Sequence, residues 1–392
     1  MSGAPSSRIP SRRSFLRLSG LAATLPLLSE GHLAWAALQS STPAAQHTSG
    51  TAAVSSAGPV MINANENPLG PCPEALTAIT TSARTGGRYD ASGEIDRLTA
   101  LYAQHVGLPA DHVLVYAGSS EPLHYSVLAF TSPTAPYVTA DPSYEAGMWA
   151  AKASGAPVIK VPLTPAYAHD VRAMVAASSS AGLLYICNPN NPTGTTTARE
   201  DILWAEQHKP KGSILLVDEA YIHFSDMPSA LDLVAQGKDV IVLRTFSKIY
   251  GMAGIRCGVA MGRPDLLAKL QRYGMNPMPV TAAAAATASL ANANLIDTRR
   301  QINANARATT ITWLKVNGWQ CTPSVSNCLM IDTGHPGKQV IEAMRLREVY
   351  IGRTWPAWPN HVRVSVGTPE EMARFQTAFA ATMTSLGTPI KA

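Results

Sequence analysis

The sequence predicts an α/β protein with a large domain built on a mostly parallel sheet and a smaller α+β domain after it. Short apolar, β-branched runs alternate with segments of helical spacing between His112 and Met261, which indicates a parallel sheet with helices on both faces. Helical segments then dominate from about Pro264 to Gly318. The chain has 392 residues, 46% of them hydrophobic, and this length suits about two domains.

Each predicted strand of the large domain is a short apolar run that ends in Gly, Pro, Asn, Asp or a hydroxyl residue. These runs are His112–Gly118, Pro136–Ala140, Pro157–Pro162, Gly182–Asn188, Ser213–Asp218, Asp239–Thr245 and Ile255–Met261. The predicted helices between them are Ser120–Thr131, Tyr144–Ser154, Asp170–Ala177 and Ala198–His208. Because ligands bind at the carboxyl ends of strands in such sheets, we expect the functional residues there.

The smaller domain is predicted from an Ala-rich helical run at Thr281–Ala293, followed by two strands, Cys328–Asp332 and His361–Val366, and a closing helix, Pro369–Leu386. No internal repeat is visible. We therefore divide the body of the chain into an N-terminal arm (59–88), a large domain (89–275) and a small C-terminal domain (276–392).

The N-terminus reads as a targeting segment. Ser-Arg-Arg-Ser-Phe-Leu-Arg at 11–17 matches a twin-arginine export signal, an apolar stretch follows it, and Ala34-Trp35-Ala36 is a small-x-small cleavage site. The alternative is a basic disordered tail. We expect 1–36 to be a signal read by the twin-arginine machinery and 37–58 a flexible linker, so that the mature protein is periplasmic or exported, and cytoplasmic if the signal is not used.

Charge and cysteine content narrow the function classes. The net charge of +5 comes from scattered basic residues, which does not indicate nucleic-acid binding. After residue 40 no apolar run reaches the ~18 residues of a membrane span. The five cysteines have no metal-ligand spacing, so we expect no metal. Cys321 and Cys328 form a disulfide in an oxidising compartment or stay as two buried thiols; the sequence leaves both open.

The most informative segment is 244–258, which reads Arg-Thr-Phe-Ser-Lys-Ile-Tyr-Gly-Met-Ala-Gly-Ile-Arg-Cys-Gly. It places Lys248 behind the hydroxyls of Thr245 and Ser247, and Arg256 follows eight residues later. A lysine that forms a Schiff base needs an aldehyde held at a fixed distance, and hydroxyls with an Arg fork can hold a phosphate-bearing cofactor. Taken alone, the pair Ser-Lys is more often a solvated lysine.

Two further motifs follow predicted strands. Gly118-Ser119-Ser120 opens a helix, where backbone N–H groups bind phosphate well, although many such turns carry Gly and Ser only as caps. Tyr144 follows the next strand and supplies either a stacking ring or a buried core tyrosine. Both motifs lie at the edge of the sheet where we expect the lysine.

The third and fourth strand-end motifs are more specific. Residues 188–194 read Asn-Pro-Asn-Asn-Pro-Thr-Gly, an extended turn that contains Asn191. Asp218 ends an apolar strand and Tyr221 follows in Asp-Glu-Ala-Tyr. A buried aspartate needs a partner, because an unpaired buried charge is costly; a helix cap is the alternative.

Together these motifs closely resemble the class I/II aminotransferases of the pyridoxal-phosphate fold type I superfamily, in particular the histidinol-phosphate aminotransferase branch. The resemblance covers about 60–385 and implies a seven-stranded, mostly parallel sheet and pyridoxal 5'-phosphate as cofactor. It implies that Lys248 forms the Schiff base, that Asp218 pairs with the pyridine nitrogen, and that Tyr221 bonds to the phenolic oxygen. The cofactor-binding residues that it implies are Gly118, Ser119, Ser120, Tyr144, Asn191, Asp218, Tyr221, Thr245, Ser247, Lys248 and Arg256.

The resemblance also implies substrate contacts and a dimer. Arg363, in Arg-Val-Ser-Val-Gly-Thr, would grip the substrate's α-carboxylate, and Arg353 would help to bind a substrate phosphate. Asn67 belongs to an Asn-Glu-Asn-Pro segment that lines the substrate pocket. Tyr89, in Arg-Tyr, would reach the cofactor phosphate of a neighbouring subunit, so we expect a homodimer.

The reaction itself stays open among three hypotheses. The first is transfer of an amino group from an amino acid or similar donor to a 2-oxo acid. The second is another pyridoxal-phosphate reaction on the same scaffold, as in an amino-acid oxidase, a cyclase or a lyase. The third is a non-catalytic binding module. Trp355 and Trp358, close to Arg353, could serve an aromatic or cationic substrate side chain or could be core packing.

Overall fold

The computed structural model describes residues 58–274 and 277–387. The predicted export signal and nearly all of the predicted linker lie outside these residues. The strands are β1 Val60–Ile62, β2 Val113–Tyr116, β3 Tyr137–Asp141, β4 Val158–Pro162, β5 Leu183–Cys187, β6 Ile214–Asp218, β7 Val240–Thr245, β8 Gly258–Gly262, β9 Gln320–Cys321, β10 Cys328–Asp332, β11 Val349–Ile351 and β12 His361–Ser365.

The helices alternate with these strands along most of the chain. They are α1 Pro73–Ala83, α2 Glu94–Val106, α3 Ser120–Phe130, α4 Ala146–Ala153, α5 Val171–Ala176, α6 Arg199–His208, α7 Leu231–Ala235, α8 Pro264–Gln271, α9 Val280–Ala291, α10 Leu295–Val316, α11 Gly337–Arg345 and α12 Pro369–Leu386. Across the described ranges, no helix is both long and apolar enough to span a bilayer.

The large sheet has seven strands in the order β2-β8-β7-β6-β5-β3-β4. The pairs β3–β4, β3–β5, β5–β6 and β6–β7 are parallel, whereas β8 runs antiparallel to both of its neighbours. Successive residues of β5, β6 and β7 alternate between two separate buried apolar clusters, so both faces of the sheet are covered. The predicted fold class, a seven-stranded and mostly parallel sheet, is confirmed.

The antiparallel strand β8 explains how the lysine segment is held. Thr245, the last residue of β7, pairs with Gly258, the first residue of β8. The intervening loop therefore begins and ends at the same sheet edge, beside Asp218 at the end of β6. The predicted strand at 255–261 begins later, at Gly258, because Arg256 has a positive φ of 70° and leaves the ladder.

Two small sheets complete the described chain. One is antiparallel in the order β12-β10-β9, and the other pairs β1 with β11 in parallel. They share an apolar cluster with α11 and α12. The predicted helix Pro369–Leu386 has these bounds in the structure, and a capping box between Thr368 and Glu371 begins it. The domain boundaries set from the sequence remain a prediction. All five cysteines, Cys321 and Cys328 included, are thiols.

Candidate active site

Lys248 lies at the carboxyl edge of the large sheet, in the loop between β7 and β8. Its Nζ atom donates to the backbone oxygen of Ala64 over 3.5 Å and lies 5.5 Å from the centre of the Tyr221 ring. The side chain is half-buried. An amine in this position faces a carbonyl from the N-terminal segment and the ring of a tyrosine that follows β6.

Asp218 is buried at the end of the neighbouring strand β6. Its carboxylate accepts from the Tyr185 hydroxyl at 2.9 Å and from the Ala220 N–H at 3.1 Å. Burial raises the pKa of Asp218 to about 6, against the smaller opposing effects of these hydrogen bonds and of the Lys248 charge. The carboxylate is therefore costly to ionise, and a cation placed beside it would be stabilised strongly.

Two hydroxyls and a guanidinium lie close together where the loop between β7 and β8 leaves the sheet. Thr245 Oγ1 and Ser247 Oγ are 3.0 Å apart, and Arg256 Nη1 donates to Ser247 Oγ at 3.3 Å. Gly118 packs directly against this guanidinium, since a Cβ atom at Gly118 would lie 2.1 Å from Arg256 Nη2. Gly118 also has a φ of +95°, which only glycine adopts without strain.

The N-terminus of α3 borders the same cluster. Ser119 precedes the helix, and its backbone N–H comes so close to β8 that a Cβ atom at Gly258 would lie 2.3 Å from it. Ser120 Oγ and the Tyr144 hydroxyl are 3.3 Å apart. The structure therefore brings together the predicted residues of the loops after β2, β3 and β7.

Asn191 and Arg363 form a second part of the site. Arg363 lies on β12 and is buried; Nη1 donates to Asn191 Oδ1 at 2.8 Å and Nη2 to the backbone oxygen of Asn63 at 2.7 Å. Two of its donors are thus directed at neutral oxygens. A carboxylate is a stronger acceptor than these amide oxygens and suits the fork of a guanidinium.

Three successive residues after β1 each contact a predicted functional group. Asn63 accepts from Arg363, Ala64 accepts from Lys248, and the Asn65 Nδ2 atom donates to the Tyr221 hydroxyl at 3.1 Å. Ser365 Oγ accepts from the Asn65 N–H and donates to its Oδ1. This ring of bonds turns the Asn65 amide so that its NH2 group faces Tyr221, and the tyrosine oxygen is an acceptor there.

Asn65, Ser365 and Tyr185 are site residues that the sequence prediction omitted. Asn65 and Ser365 lie inside the quoted motifs, and Tyr185 is the one polar-tipped residue in the apolar run of β5. A buried tyrosine needs an acceptor for its hydroxyl, and that requirement was the available signal.

Two other predicted residues, Asn67 and Tyr89, lie outside the two groups of contacts described above. Asn67 Nδ2 donates to the backbone oxygen of Ile249 and so braces the lysine loop, and Asn67 lines an open cavity of about 360 Å³ beside Gly251 and Gly367. Tyr89 is 92% exposed. Its predicted contact is with a second copy of the chain.

Arg353 is paired with an acidic side chain. Its guanidinium contacts the carboxylate of Glu145 and lies 4.5 Å from the centre of the Trp355 ring. Trp355 is 1% exposed and donates through Nε1 to the backbone oxygen of Ser143 at 3.2 Å. Trp355 is therefore a buried support for the arginines, with Arg363 5.5 Å away on the same ring, which agrees with core packing.

The assembled groups fit pyridoxal phosphate. Thr245, Ser247 and Arg256, with the backbone N–H of Ser119, supply the donors that a phosphate needs. Asp218 suits a protonated ring nitrogen because its buried carboxylate gains from a cation. When bound, the cofactor supplies an aldehyde for an amine and a ring that withdraws electrons.

Comparison with known proteins agrees with this geometry. The family model for aminotransferase class I and II matches residues 58–379. A histidinol-phosphate aminotransferase from Symbiobacterium thermophilum is 36% identical, over 83% of this chain and 90% of that protein. An aromatic amino acid aminotransferase from Cutibacterium acnes is 32% identical, over 80% of this chain and 90% of that protein.

A solved structure is also similar. The histidinol-phosphate aminotransferase from Sinorhizobium meliloti, in complex with pyridoxal-5'-phosphate, is 27% identical with a TM-score of 0.76, covering 83% of this chain and 91% of that one. The chain therefore belongs to the aminotransferase class I and II family, as a pyridoxal-phosphate-dependent aminotransferase similar to the histidinol-phosphate aminotransferases.

Proposed function

We propose that the groups gathered at the carboxyl edge of the large sheet carry out the amino transfer, with an amino acid or similar compound as donor and a 2-oxo acid as acceptor. The observation that carries this proposal is the placement of the Lys248 amine beside Tyr221 and Asp218, in a loop that also holds the phosphate-type donors. The named donors of the two relatives differ, so they leave the donor of this chain open.

Each residue has a role that follows from its chemistry. The Lys248 amine would take the proton from the donor's α-carbon and deliver it to the former aldehyde carbon of the cofactor. Asp218 would keep the ring nitrogen of a bound cofactor protonated, which favours withdrawal of electrons into the ring. Tyr221 and Asn191 would hold the phenolic oxygen of the cofactor, and Tyr221 is itself oriented by Asn65.

Arg363 holds the donor by its α-carboxylate. The guanidinium already points at two neutral oxygens, those of Asn191 and Asn63. A carboxylate that replaces them would gain charge-assisted hydrogen bonds from the same guanidinium. Binding of the carboxylate by Arg363 would hold the α-carbon within reach of the Lys248 amine, and proton transfer needs this orientation.

The test is the visible spectrum of the purified protein with pyridoxal phosphate, recorded without oxygen. We expect an amino donor to bleach the band of the bound cofactor and 2-oxoglutarate to restore it. In a parallel assay in air, donor loss with oxygen uptake would favour an oxidase instead. Donor loss without a restorable band would favour a cyclase or lyase. A band that no amino donor changes would contradict the proposal.

We further infer a homodimer in which Tyr89 reaches the cofactor phosphate bound by a second copy. Its 92% exposure in one copy supports this contact. The test mixes two inactive variants, Lys248→Ala and Tyr89→Ala, after denaturation and joint refolding. A mixed dimer contains one intact site, so we expect activity to return in the mixture. Activity that stays absent in a confirmed mixed dimer would refute the shared site.

We also propose that the segment 1–36 directs export through the twin-arginine route, which carries folded proteins. That route suits an enzyme that loads its cofactor before export. The test is fractionation of cells that make the full chain or the variant with Arg12→Lys and Arg13→Lys. We expect the full chain in the periplasm and the variant in the cytoplasm. Equal distribution of the two would contradict the proposal.

A further inference from the structure

The carbonyl group of Ile249, the residue after Lys248, accepts two side-chain donors from separate parts of the chain. Asn67 Nδ2 donates to it at 3.0 Å from the segment after β1, and Arg299 Nη1 donates to it at 3.0 Å from α10. A carbonyl oxygen has two lone pairs, so both of them are used here. The lysine loop, which joins β7 to β8 and carries Lys248, is therefore held at this point by two other segments.

The tight turn after Lys248 is packed against the same two segments. The Gly251 N–H donates to the Lys248 backbone oxygen at 3.1 Å. Gly251 has a φ of +69°, and a Cβ atom there would overlap the backbone oxygen of Gly70 and lie 2.9 Å from Arg299 Nη1. The lysine loop cannot shift toward Gly70 or Arg299 without a clash, so the chain on the C-terminal side of Lys248 is fixed.

Arg299 lies near the start of a helix that joins two hydrophobic cores. Leu295, the first residue of α10, belongs to an apolar cluster of the large sheet, whereas Ala306 and Leu314 belong to the cluster of the small sheets. Arg299 is only 6% exposed. Its bond to the Ile249 carbonyl is charge-assisted and little screened by water, so it is stronger than a bond between neutral groups. This bond ties the lysine loop to α10.

We propose that Arg299 is a positioning residue for the amino transfer. It acts through the Ile249 carbonyl and holds the Lys248 amine at the distance and direction that proton transfer needs. Arg299 thus sets the rate of proton transfer, whereas binding of the substrate carboxylate belongs to Arg363. This inference rests on the proposed function, because that function gives Lys248 its role.

Hydrogen exchange of the full chain without cofactor tests whether Arg299 holds the loop. In the wild type we expect slow exchange at the amides of Gly251 and Met252, which are hydrogen-bonded within the loop. Arg299→Met keeps an apolar stem but removes the donors. We expect the peptide that covers 246–252 to exchange roughly 10- to 100-fold faster in this variant, with the peptide of β7 unchanged.

Arg300→Met is the matched control, since it makes the same change one residue later on α10. The Arg300 side chain is 32% exposed, and its guanidinium pairs with Asp226 at 2.8 Å. We expect its loop peptide to exchange at the wild-type rate. A general loss of stability would speed exchange in every peptide, so the comparison between peptides separates the two effects.

A rate measurement on the loaded enzyme tests whether this contact serves proton transfer. The enzyme is loaded with pyridoxamine phosphate, with or without deuterium at its methylene carbon, and mixed with 2-oxoglutarate in a stopped-flow instrument. We expect Arg299→Met to lower the limiting rate by about tenfold or more and to raise the isotope effect on it, because proton removal by Lys248 becomes slower. The 2-oxoglutarate concentration at half the limiting rate should change by less than about twofold, because Arg363 binds the carboxylate.

Three results would overturn the inference. One is rapid exchange of the loop peptide already in the wild type, which needs no variant to fold. The second is wild-type exchange of that peptide in folded Arg299→Met. The third is faster exchange with an unchanged limiting rate and isotope effect, which would leave Arg299 a structural contact only. If the wild type reacts neither with 2-oxoglutarate nor with any amino donor, the proposed function fails and the positioning role fails with it, whereas hydrogen exchange still reports whether Arg299 holds the loop.

Discussion

Replacing Asp218 with asparagine is expected to stabilise the cofactor-free protein at neutral pH while it inactivates the enzyme. In the wild type the buried carboxylate must ionise among Tyr185, Val217 and the sheet interior, with hydrogen bonds that only partly offset the loss of water. Asparagine has nearly the same shape and carries no charge. It therefore removes that cost, but it cannot keep the cofactor's ring nitrogen protonated.

The magnitude follows from the pKa of Asp218, which burial raises from 3.8 to about 6. At 1.36 kcal/mol per pKa unit, this difference makes ionisation cost roughly 3 kcal/mol of folding free energy. Because the folded protein binds this proton more tightly than the unfolded chain, the contribution of Asp218 to stability is most favourable below pH 3.8 and is lost as the pH rises to about 6. The substitution also weakens the hydrogen bond from Tyr185, because the amide oxygen is uncharged. This offsets the gain in folding free energy by about 1 kcal/mol.

The assay is urea denaturation of the cofactor-free protein at pH 5 and pH 8. We expect Asp218→Asn to be more stable than the wild type by roughly 2 kcal/mol at pH 8, and by much less at pH 5, where only about half of the cost has developed. Asp226→Asn is the matched control, because its side chain is 95% exposed, and it should change stability by less than about 0.5 kcal/mol. A stability difference for Asp218→Asn that is absent, or equal at both pH values, would refute the reasoning.

Three other substitutions test the site. Lys248→Ala should abolish transfer and prevent borohydride from fixing the cofactor to the chain, as read by mass spectrometry, because no amine meets the aldehyde. Asn65→Ala should lower the free energy of unfolding in urea by roughly 1–3 kcal/mol and slow turnover, since Tyr221 loses the donor that orients it. Arg363→Lys should raise KM for carboxylate donors by roughly 10- to 100-fold in steady-state assays, because an ammonium cannot bind a carboxylate as a fork.

Each of these substitutions has a contradicting result, and those of Lys248 and Arg363 also have a control. Lys238→Ala, at a lysine that is 44% exposed, should leave cofactor fixation unchanged, and fixation that survives Lys248→Ala would remove that residue from its role. Normal turnover and stability in Asn65→Ala would show that Tyr221 needs no such support. Arg374→Lys is the control for Arg363→Lys, because Arg374 donates to the backbone oxygen of Gly58 at the surface. If the two variants had the same KM for carboxylate donors, the carboxylate would bind elsewhere.

The fold class and the bounds of the closing helix could be predicted from the sequence, and so could the edge of the sheet where the motif residues meet. These predictions follow from local signals, namely the alternation of strand and helix periods and the residues that end each strand. The motif order was enough to indicate the family. The predicted start of β8 was three residues too early, because Arg256 has a positive φ and leaves the ladder, and apolar periodicity does not report the backbone conformation of a single residue.

Which of two similar residues in a motif contacts a given side chain could be seen only in the folded chain. Asn65 and Asn67 look alike in the sequence, yet Asn65 is wholly buried and reaches Tyr221 while Asn67 braces the lysine loop. Glu145 and Arg353 are likewise far apart in the sequence, and only the fold brings them together as an ion pair. Sequence patterns report contacts over a few residues, whereas these contacts join segments far apart in the chain, and packing alone sets which side chains meet there.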